Sequence, residues 1–426
     1  MNERYLARMR AMLGADYPAY EACLAEPPVR GIRVNTLKIE ADAFRALSPF
    51  ALRQVPWEPN GFSVDGEKAG KSFYHDAGLY YVQEPSAMCA APLLEAQPGE
   101  RVLDLCSAPG GKGTQLAQAM RGKGLLVLNE KLPDRAAVLL QNVERLGVTN
   151  AVVTSADPAE LAKRLGGFFD KILVDAPCSG EGMLRKEPAA AGQWSEETVR
   201  MCAARQKKIL SSAAEMLAPG GRLVYSTCTF AAEEDEENAR WFVRTFPQFT
   251  LLEEKKLFPH RICGEGHYAA VFACGDGERT RFRRAKPSAV DRKSLAAFRA
   301  FEKEFLRGTM QGELRQFGSA LSLVPQELFD LNGLRVLRAG LLLGEAKGDR
   351  FEPSHALAMA ADSPLRQTVP LNEEEAARYF AGEQLDCAAP RGWCAATFGG
   401  YAIGLCKGAG GVLKNHLPKG LRRPRA

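Results

Sequence analysis

The amino-acid sequence predicts an α/β protein built on a doubly wound parallel sheet, with a smaller region on either side. Three observations support this. Between about residues 85 and 275, short runs rich in aliphatic residues alternate with helical stretches. These runs are continuously apolar, as in strands that helices cover on both faces. Several of them end in acidic, glycine or cysteine residues, and ligands bind at the carboxyl ends of strands in such sheets.

The alternation predicts strands at residues 101–106, 125–129, 151–154, 171–175 and 222–227, and helices at 134–146 and 196–217. Upstream, Tyr5, Leu6, Met9 and Leu13 recur at helical spacing, which predicts an amphipathic helix over 3–13. Residues 33–37 are predicted as a strand. We therefore expect a small N-terminal α+β module over residues 1–84 and the doubly wound domain over residues 85–276.

A basic segment follows this domain. Residues 279–293 hold seven Lys or Arg and one Asp, which indicates a solvated linker first and a nucleic-acid contact second. We predict the linker over 277–300 and a further region over 301–426, with strands at 334–343, 393–398 and 402–406. The chain has no acidic residue after Asp386.

Composition and charge limit the class of protein. A net charge of +5 over 426 residues does not by itself indicate a nucleic-acid-binding protein. Apolar runs are too short and too often interrupted for a signal peptide or a membrane span, so a cytoplasmic location is expected. The eleven scattered cysteines include no C-x-x-C pair, which indicates neither a disulfide framework nor a metal site.

The loop after the first strand of the sheet is a candidate cofactor site. Its glycines allow a ligand to approach the backbone, and the helix that follows offers free N–H groups. The spacing fits neither a Walker A loop nor the G-x-G-x-x-G fingerprint of dinucleotide-binding proteins. The loop consists of Cys106, Ser107, Ala108, Pro109, Gly110, Gly111 and Lys112.

Three later strand ends carry acids, namely Glu130, Asp157 and Asp175. A carboxylate at the position of Glu130 can accept hydrogen bonds from ribose hydroxyls, and the other two suit contacts to adenine or to a substrate base. Any one of them could equally be a helix cap or a solvated strand end. Together with a loop that has no pyrophosphate cradle, the ordered set predicts S-adenosyl-L-methionine as the cofactor.

Two cysteines follow the fourth and fifth strands, Cys178 after Asp-Ala-Pro and Cys228 after Tyr-Ser-Thr. Neighbouring strands deliver their loops to one cleft, so both thiols should face the methyl donor. A lone cysteine is usually a buried core residue, but that interpretation does not account for two at one sheet edge. A thiolate that adds to C6 of cytosine activates C5 toward a methyl group, and a second thiol can act as acid or base there.

Three segments, 103–112 (LDLCSAPGGK), 175–186 (DAPCSGEGMLRK) and 225–229 (YSTCT), resemble motifs I, IV and VI of the Nol/Nop/Sun family of RNA 5-methylcytosine methyltransferases. Segments 33–38 (RVNTLK) and 82–88 (VQEPSAM) resemble upstream elements of that family. Segments 344–355 (GEAKGDRFEPSH) and 414–422 (KNHLPKGLR) are similar to the C-terminal region of its bacterial RsmF branch, which modifies small-subunit (16S) ribosomal RNA.

The resemblance implies a Rossmann-like methyltransferase domain and a C-terminal PUA-like RNA-binding region. It implies that Cys228 is the nucleophile, that Cys178 is the base needed for product release, and that Asp175 holds the cytosine edge close to the methyl donor. The cofactor residues that it implies are the loop Cys106 to Lys112 for the methionine part, Glu130 for the ribose, Asp157 for the adenine, and Arg135 and Asp175 beside them.

The implied partner is RNA, either ribosomal RNA or an assembling small ribosomal subunit, and a monomer with no membrane partner is expected. The target base must be single-stranded or flipped out of its helix. Candidates for contacts to the RNA backbone are the basic linker, the basic tail, and Arg33, Lys38, Arg185 and Lys186, although any single cation is more often solvated than bound to RNA. The five histidines show no catalytic spacing and are assigned no role.

Three alternatives stay open at this point. The first is a transfer-RNA or large-subunit RNA methyltransferase with the same mechanism. The second is a non-catalytic RNA-binding ribosome-assembly factor, which the two thiols and the intact cofactor loop disfavour. The third is an oxidoreductase of the Rossmann type, which the missing glycine fingerprint disfavours.

Overall fold

The computed structural model describes residues 2–65, 69–186, 194–279, 282, 284–286, 289–361 and 363–423. Its N-terminal module consists of α1 (Glu3–Leu13), α2 (Tyr17–Cys23), β1 (Gly31–Val34), α3 (Ala41–Leu47), β2 (Leu52–Gln54), β3 (Gly61–Val64), α4 (Phe73–Asp76) and β4 (Tyr80–Val82). The strands form an antiparallel sheet of order β2–β3–β1–β4. The predicted helix over 3–13 is confirmed, with Tyr5 and Met9 buried.

The predicted strand over residues 33–37 is wrong in its second half. β1 ends at Val34 because Asn35 turns the chain and donates its side-chain amide to the carbonyls of Gly78 and Leu146, both at 2.8 Å. This turn ties the N-terminal module to the central domain.

The central domain alternates strands and helices as predicted. Its elements are α5 (Ala90–Leu93), β5 (Arg101–Asp104), α6 (Gly111–Met120), β6 (Leu125–Asn129), α7 (Pro133–Arg145), β7 (Ala151–Thr154), α8 (Pro158–Leu165), β8 (Phe169–Asp175), α9 (Glu196–Met216), β9 (Leu217–Thr227), α10 (Glu236–Thr245), β10 (Phe249–Leu257) and β11 (His267–Cys274).

These strands lie in the order β10–β11–β9–β8–β5–β6–β7. The run from β9 to β7 is parallel, and β11 and β10 add antiparallel strands at one edge. The chain builds outward from β5 to β7 and then returns to place β8 on the other side of β5. The loops after β5 and β8 therefore diverge, which opens a crevice at the topological switch point.

The apolar strand sequences follow from burial on both faces of the sheet. Leu103 and Val127 belong to one hydrophobic cluster, whereas their sequence neighbours Val102 and Leu126 belong to the cluster on the other face. Side chains alternate along a strand, so a strand that is buried on both faces has no polar positions to alternate with. The predicted doubly wound α/β fold is confirmed.

The C-terminal region contains two further sheets. Its elements are α11 (Arg292–Phe305), β12 (Glu313–Phe317), β13 (Ala320–Val324), β14 (Val336–Ala339), β15 (Leu341–Lys347), β16 (Arg350–Pro353), α12 (His355–Met359), β17 (Thr368–Pro370), α13 (Glu373–Phe380), β18 (Leu385–Asp386), β19 (Gly392–Phe398), β20 (Tyr401–Ala409) and β21 (Val412–Asn415). The strand orders are β12–β13–β15–β16 and β17–β19–β20–β21–β18.

One strand of this region leaves it to join the central sheet. The single strand predicted over residues 334–343 is wrong, because Gly340 has a φ of 69° and divides it into β14 and β15. β14 pairs antiparallel with β7 and forms the outer edge of the central sheet, whereas β15 pairs with β13 and β16. Among the residues that the structure describes, none of the helices has the length and apolar character needed to cross a bilayer.

The last sheet packs on the N-terminal module rather than standing apart. Ile32 and Phe44 share one buried cluster with Tyr379 and Cys394. The basic tail takes part in this contact: the Arg423 guanidinium forms two hydrogen bonds with the Asp76 carboxylate, at 2.6 and 3.2 Å. Part of the tail is therefore structural.

Candidate active site

The loops after β8 and β9 bring two thiols into contact. The Sγ atoms of Cys178 and Cys228 lie 3.1 Å apart, and both residues are free and partly exposed. The backbone N–H of Gly182 donates to the Cys228 carbonyl at 2.8 Å, and the Glu181 carboxylate accepts from the N–H of Phe230 at 3.0 Å. Each loop thus supports the other.

A buried carboxylate fixes the loop that carries Cys178. Glu234 accepts hydrogen bonds from the Ser179 N–H at 3.1 Å and from the Gln206 amide at 2.7 Å, and that same amide donates to the Pro177 carbonyl at 3.0 Å. Burial raises the pKa of Glu234 to about 7. Sequence reasoning missed this residue, because it stands in a run of acids and only the turn after β9 decides which of them points inward.

The two thiols are not equivalent electrostatically. The hydrogen bond with Cys228, together with burial and the charge on Cys228, raises the pKa of Cys178 well above that of an ordinary thiol. Two thiolates 3.1 Å apart would repel each other by about 5 kcal/mol at an effective dielectric constant of about 20. The pair therefore carries at most one negative charge, and the raised pKa of Cys178 keeps that residue in its thiol form.

A second charged group lies beside the thiols. The Lys112 ammonium is 2.7 Å from Oδ2 of Asp175, and the Ser226 hydroxyl donates to Oδ1 at 2.8 Å. Burial by itself would raise the pKa of Asp175, but Lys112, His267 and Ser226 together hold it below its ordinary value. Asp175 is therefore ionised and available to accept a hydrogen bond from a substrate amino group. His267, to which the sequence assigned no role, has its Nε2 atom 3.8 Å from Oδ1 of Asp175.

A cavity of about 610 Å³ opens on the other side of the β5 loop. Glu130 accepts from the Leu132 N–H at 2.9 Å and pairs with Arg135 at 3.0 Å. Arg135 also donates to the Ala108 carbonyl at 2.8 Å, which ties the cofactor loop to the start of α7. The polar and apolar residues that line the cavity include Cys106, Glu130, Arg135, Asp157, Pro177 and Ile209.

Asp157 combines a structural and a candidate binding role. It caps α8 by accepting from the Ala159 N–H at 3.0 Å, and it pairs with Lys131 at 2.7 Å. The helix-cap interpretation is therefore correct, and the same carboxylate lies at the wall of the cavity.

The residues at the end of β5 fit a cationic ligand. Asp104 is fully buried, and neither carboxylate oxygen has a hydrogen-bond partner among the described residues. Burial raises its pKa to about 7, although the nearby Ser107 hydroxyl opposes the rise. S-adenosylmethionine carries a sulfonium and an ammonium group, and the Asp104 carboxylate, which lies next to Ser107 and Gly113, is a candidate partner for one of them.

Three of the four single cations that were candidates for an RNA contact are instead bonded within the protein. Arg33 is 1% exposed, and its guanidinium donates hydrogen bonds to acceptors within the protein. The Lys38 ammonium donates to two backbone carbonyls, at 2.8 and 3.0 Å. Arg185 forms a bidentate ion pair with the Glu265 carboxylate, with two hydrogen bonds of 2.8 Å. Lys186 is exposed.

The basic linker and tail are partly accounted for. Arg279 pairs with Asp170 at 2.7 Å, and α11 already begins at Arg292. Residues 280, 281, 283, 287 and 288 of the linker, and 424–426 of the tail, lie outside the described residues. Lys414 and Lys419 are exposed, and they remain candidates for a contact with RNA.

Family models match the chain along nearly its whole length. Residues 91–273 match the model of the 16S rRNA methyltransferase RsmB/F, and residues 1–85 match the N-terminal domain of the 16S rRNA methyltransferase RsmF. Residues 300–360 match the first C-terminal domain of the RsmF rRNA methyltransferase, and residues 366–423 match the methyltransferase RsmF PUA domain.

Curated relatives and solved structures agree with these matches. The ribosomal RNA small subunit methyltransferase F of Enterobacter sp. (strain 638) is 34% identical over 462 residues, which cover 99% of this chain and 96% of the relative. The protein of the same name from Shewanella loihica is 34% identical, covering 94% and 90%. A methyltransferase homologue from Pyrococcus horikoshii is 28% identical with a TM-score of 0.58, covering 64% of this chain and 95% of that one. NSun6 from the same organism, solved with SFG, is 20% identical with a TM-score of 0.60 over 65% and 99% of the two chains, which shows likeness of fold.

Proposed function

The chain belongs to the RsmB/F family of 16S rRNA methyltransferases, and we propose that it uses Cys228 and Cys178 to methylate C5 of a cytosine in 16S rRNA. It is an S-adenosyl-L-methionine-dependent RNA methyltransferase. The observation that supports the two-cysteine chemistry is the contact of the thiols at 3.1 Å on the loops after β8 and β9.

The raised pKa of Cys178 supports the order of the two roles. Because Cys178 is the harder of the two thiols to ionise, we assign the attack on C6 to Cys228. Once Cys228 is bound to the base, its sulfur no longer carries a charge or accepts the hydrogen bond from Cys178. The chief cause of the raised pKa of Cys178 is then gone, and Cys178 can ionise and act as a base.

The electrons balance over two steps. The Cys228 thiolate would form a bond to C6, and the C5–C6 π pair would move to C5. C5 would then bond to the methyl group of the bound cofactor, whose methyl–sulfur bond breaks and leaves its electron pair on the sulfur. Cys178 then takes the proton from C5, the electron pair re-forms the C5–C6 double bond, and the C6–sulfur bond breaks to release Cys228 as a thiolate.

Asp175 and Lys112 hold the base during these steps. The ionised Asp175 carboxylate accepts from the exocyclic amino group of cytosine, which a uracil lacks. Lys112 keeps Asp175 ionised and lies near Cys228.

Four of the proposed cofactor residues, Cys106, Glu130, Arg135 and Asp157, line the 610 Å³ cavity. The rest of the loop is assigned from the family resemblance. When bound, S-adenosyl-L-methionine supplies an activated methyl group. Glu130 would hold the ribose, and Asp157 would hold the adenine. The methionine part would lie on the loop made of Cys106, Ser107, Ala108, Pro109, Gly110, Gly111 and Lys112. Arg135 fixes that loop through its hydrogen bond to the Ala108 carbonyl and its ion pair with Glu130.

The boundaries and setting of the enzyme are also proposals. We propose an N-terminal module over 1–84 and a methyltransferase domain over 85–276, which the matched ranges support. The linker predicted over 277–300 is shorter, because α11 begins at Arg292, and the C-terminal region up to residue 426 includes the PUA-like RNA-binding domain. We further propose that a monomer acts in the cytoplasm on 16S rRNA or on an assembling small subunit. Bisulfite sequencing of total RNA with and without the gene would identify the modified cytosine and would distinguish a transfer-RNA or large-subunit target.

Cysteine variants test the assignment of the two roles. Cys178→Ala should attack and methylate but fail to eliminate, so a protein–RNA adduct that survives denaturing electrophoresis should accumulate. Cys228→Ala should form neither adduct nor product. Cys274→Ala is the matched control and should turn over normally. Cys274 is the last residue of β11, at the end of that strand that is farther from Cys228.

Two results would contradict the assignment. An adduct in Cys228→Ala and none in Cys178→Ala would exchange the roles. Full turnover in both variants would remove the thiols from the mechanism.

A further inference from the structure

The register of the sheet places a histidine at the active site. β11 begins at His267 and pairs antiparallel with β9 through Tyr268↔Thr227 and Ala269↔Ser226, so His267 lies across from Cys228. Ser226 in turn pairs with Asp175 of β8. Because side chains alternate along strands, His267, Ser226 and Asp175 share one face of the sheet.

The buried His267 imidazole lies next to the more exposed Asp175 carboxylate. Its Nε2 is 3.8 Å from Oδ1 of Asp175, and the His267 side chain is 2% exposed whereas that of Asp175 is 32% exposed. Neither ring nitrogen of His267 has a hydrogen-bond partner among the described residues. A buried polar group without a partner is costly, so its retention calls for an explanation.

Hydrogen bonds with three other residues hold the backbone just before His267. The N–H of Glu265 donates to the Glu84 carboxylate at 2.8 Å, and the N–H of Gly266 donates to the Ser86 hydroxyl at 3.1 Å. The Glu265 carboxylate is held by Arg185 through two bonds of 2.8 Å. These contacts come from the segment before α5 and from the loop that follows Cys178. The position of the imidazole is therefore set by the same loops that build the active site.

We propose that His267 is a positioning residue whose neutral imidazole directs the Asp175 carboxylate toward the amino group of the target cytosine. This inference rests on the proposed function. The ring donates one N–H to Oδ1 when the substrate closes the gap of 3.8 Å, since hydrogen bonds at catalytic sites are often long before the substrate binds. With Ser226 on Oδ1 and Lys112 on Oδ2, the carboxylate then has a donor at each side and a fixed orientation.

The neutrality of the ring matters for this role. Burial, reinforced by the charge of Lys112, lowers the pKa of His267 to about 3, although Asp175 opposes the shift. A neutral ring can orient Asp175 without cancelling its charge, so the carboxylate stays a strong acceptor. The charged or titratable groups near Asp175 come from several elements: Cys89 from before α5, Asp104 from β5, Cys106 from the loop after it, Lys112 from α6 and His267 from β11.

Three variants of the full-length protein test the role. His267→Phe keeps the ring shape without the N–H, and His267→Gln restores a donor at a similar reach. His260→Phe is the matched control, because the His260 side chain is 4% exposed and its Nε2 lies 3.9 Å from Asp16, away from the thiols.

His267→Phe should lower the single-turnover rate of methyl transfer by about 10- to 100-fold, with unchanged affinities for RNA and for S-adenosylmethionine. Loss of a donor raises the pKa of Asp175, so the acid limb of the pH–rate profile should move to higher pH. His267→Gln should recover most of the rate and the position of that limb. His260→Phe should match the wild type in both readouts.

A wild-type rate and an unmoved acid limb in His267→Phe would overturn the proposal. Equal losses in the Phe and Gln variants, accompanied by a lower unfolding temperature, would also overturn it by showing a purely structural role. A wild-type protein that methylates no RNA in the same assay would instead refute the proposed function.

Discussion

Asp104 is expected to reduce the stability of the free enzyme and to strengthen the binding of the cofactor, and the substitution Asp104→Asn tests both effects. Asp104 ends β5, is fully buried, and has no hydrogen-bond partner among the described residues. Burial makes the charged form of this carboxylate costly, and the nearby Ser107 hydroxyl and Lys112 charge offset only part of that cost. A bound cation would offset more of it. The substitution removes the charge and keeps the shape.

The size of the effect on folding follows from the pKa. Burial raises the pKa of Asp104 from 3.8 to about 7, so the folded state binds the proton more tightly than the unfolded chain. The wild type therefore loses stability as the pH rises from 3.8 to about 7. At about 1.4 kcal/mol per pKa unit, the loss is about 2 kcal/mol at pH 5.5 and about 4 kcal/mol at pH 8.

Urea unfolding of the wild type and of Asp104→Asn at the two pH values measures this loss. A buried amide without partners costs about 1–3 kcal/mol, but that cost is the same at both pH values and cancels in the comparison. The stability of the variant relative to the wild type should be about 2 kcal/mol greater at pH 8 than at pH 5.5. A relative stability that does not change with pH would show that Asp104 titrates normally and would refute the reasoning.

The same variant should bind the cofactor less tightly. Loss of a charged partner typically costs about 1.5–3 kcal/mol, so calorimetry should show a dissociation constant for S-adenosylmethionine raised by about 10- to 150-fold. Asp235→Asn is the control, because Asp235 is equally buried but already pairs with Lys256 at 2.9 Å. That change should destabilise the fold and leave the affinity for the cofactor unaltered.

Three further changes have outcomes that the structure predicts. Glu130→Ala should weaken binding of S-adenosylmethionine by about 1.5–3 kcal/mol in calorimetry, because the charged acceptor for the ribose is lost. In the same experiment the wild type should bind no nicotinamide cofactor. Arg185→Met should lower the free energy of unfolding by about 3–5 kcal/mol in urea, because it leaves the buried Glu265 carboxylate unpaired; a smaller loss would mean that water reaches the site. Lys414→Glu combined with Lys419→Glu should weaken RNA binding and reduce its dependence on salt, by about 0.9 in slope per lost phosphate contact, while cofactor affinity stays constant; an unchanged salt slope would remove this surface from the RNA path.

The strand-end motifs could be located from sequence because chain order maps onto sheet order. Each parallel strand delivers its following loop to the same edge, so Cys178 and Cys228 were expected in one cleft although 50 positions separate them. The same rule placed Glu130 and Asp157 near one ligand. Their assigned roles stay proposals, but the neighbourhood that those roles require is present.

Burial limited the interpretation of single charged residues. Arg33 and Arg185 carry the charge expected of an RNA contact, and sequence alone gives no sign that their guanidinium groups are consumed inside the protein. His267 shows the reverse problem, because it belongs to no motif and reaches Asp175 only through the pairing of β11 with β9. Long-range register, rather than local pattern, decided each of these cases.

The packing of the two chain ends holds the last sheet against the N-terminal module and, through that module, against α7. Tyr379 and Phe380 of the PUA domain share a buried core with the N-terminal module, and Lys38 of that module donates to the carbonyl of Arg145 at the end of α7. α7 begins just after Glu130, at the wall of the cofactor cavity. A region held by a hydrophobic core on one side and by hydrogen bonds to α7 on the other resists reorientation. We therefore expect the path from RNA bound on the last sheet to Cys228 to have a fixed length, so that distance along the folded RNA contributes to the choice of cytosine.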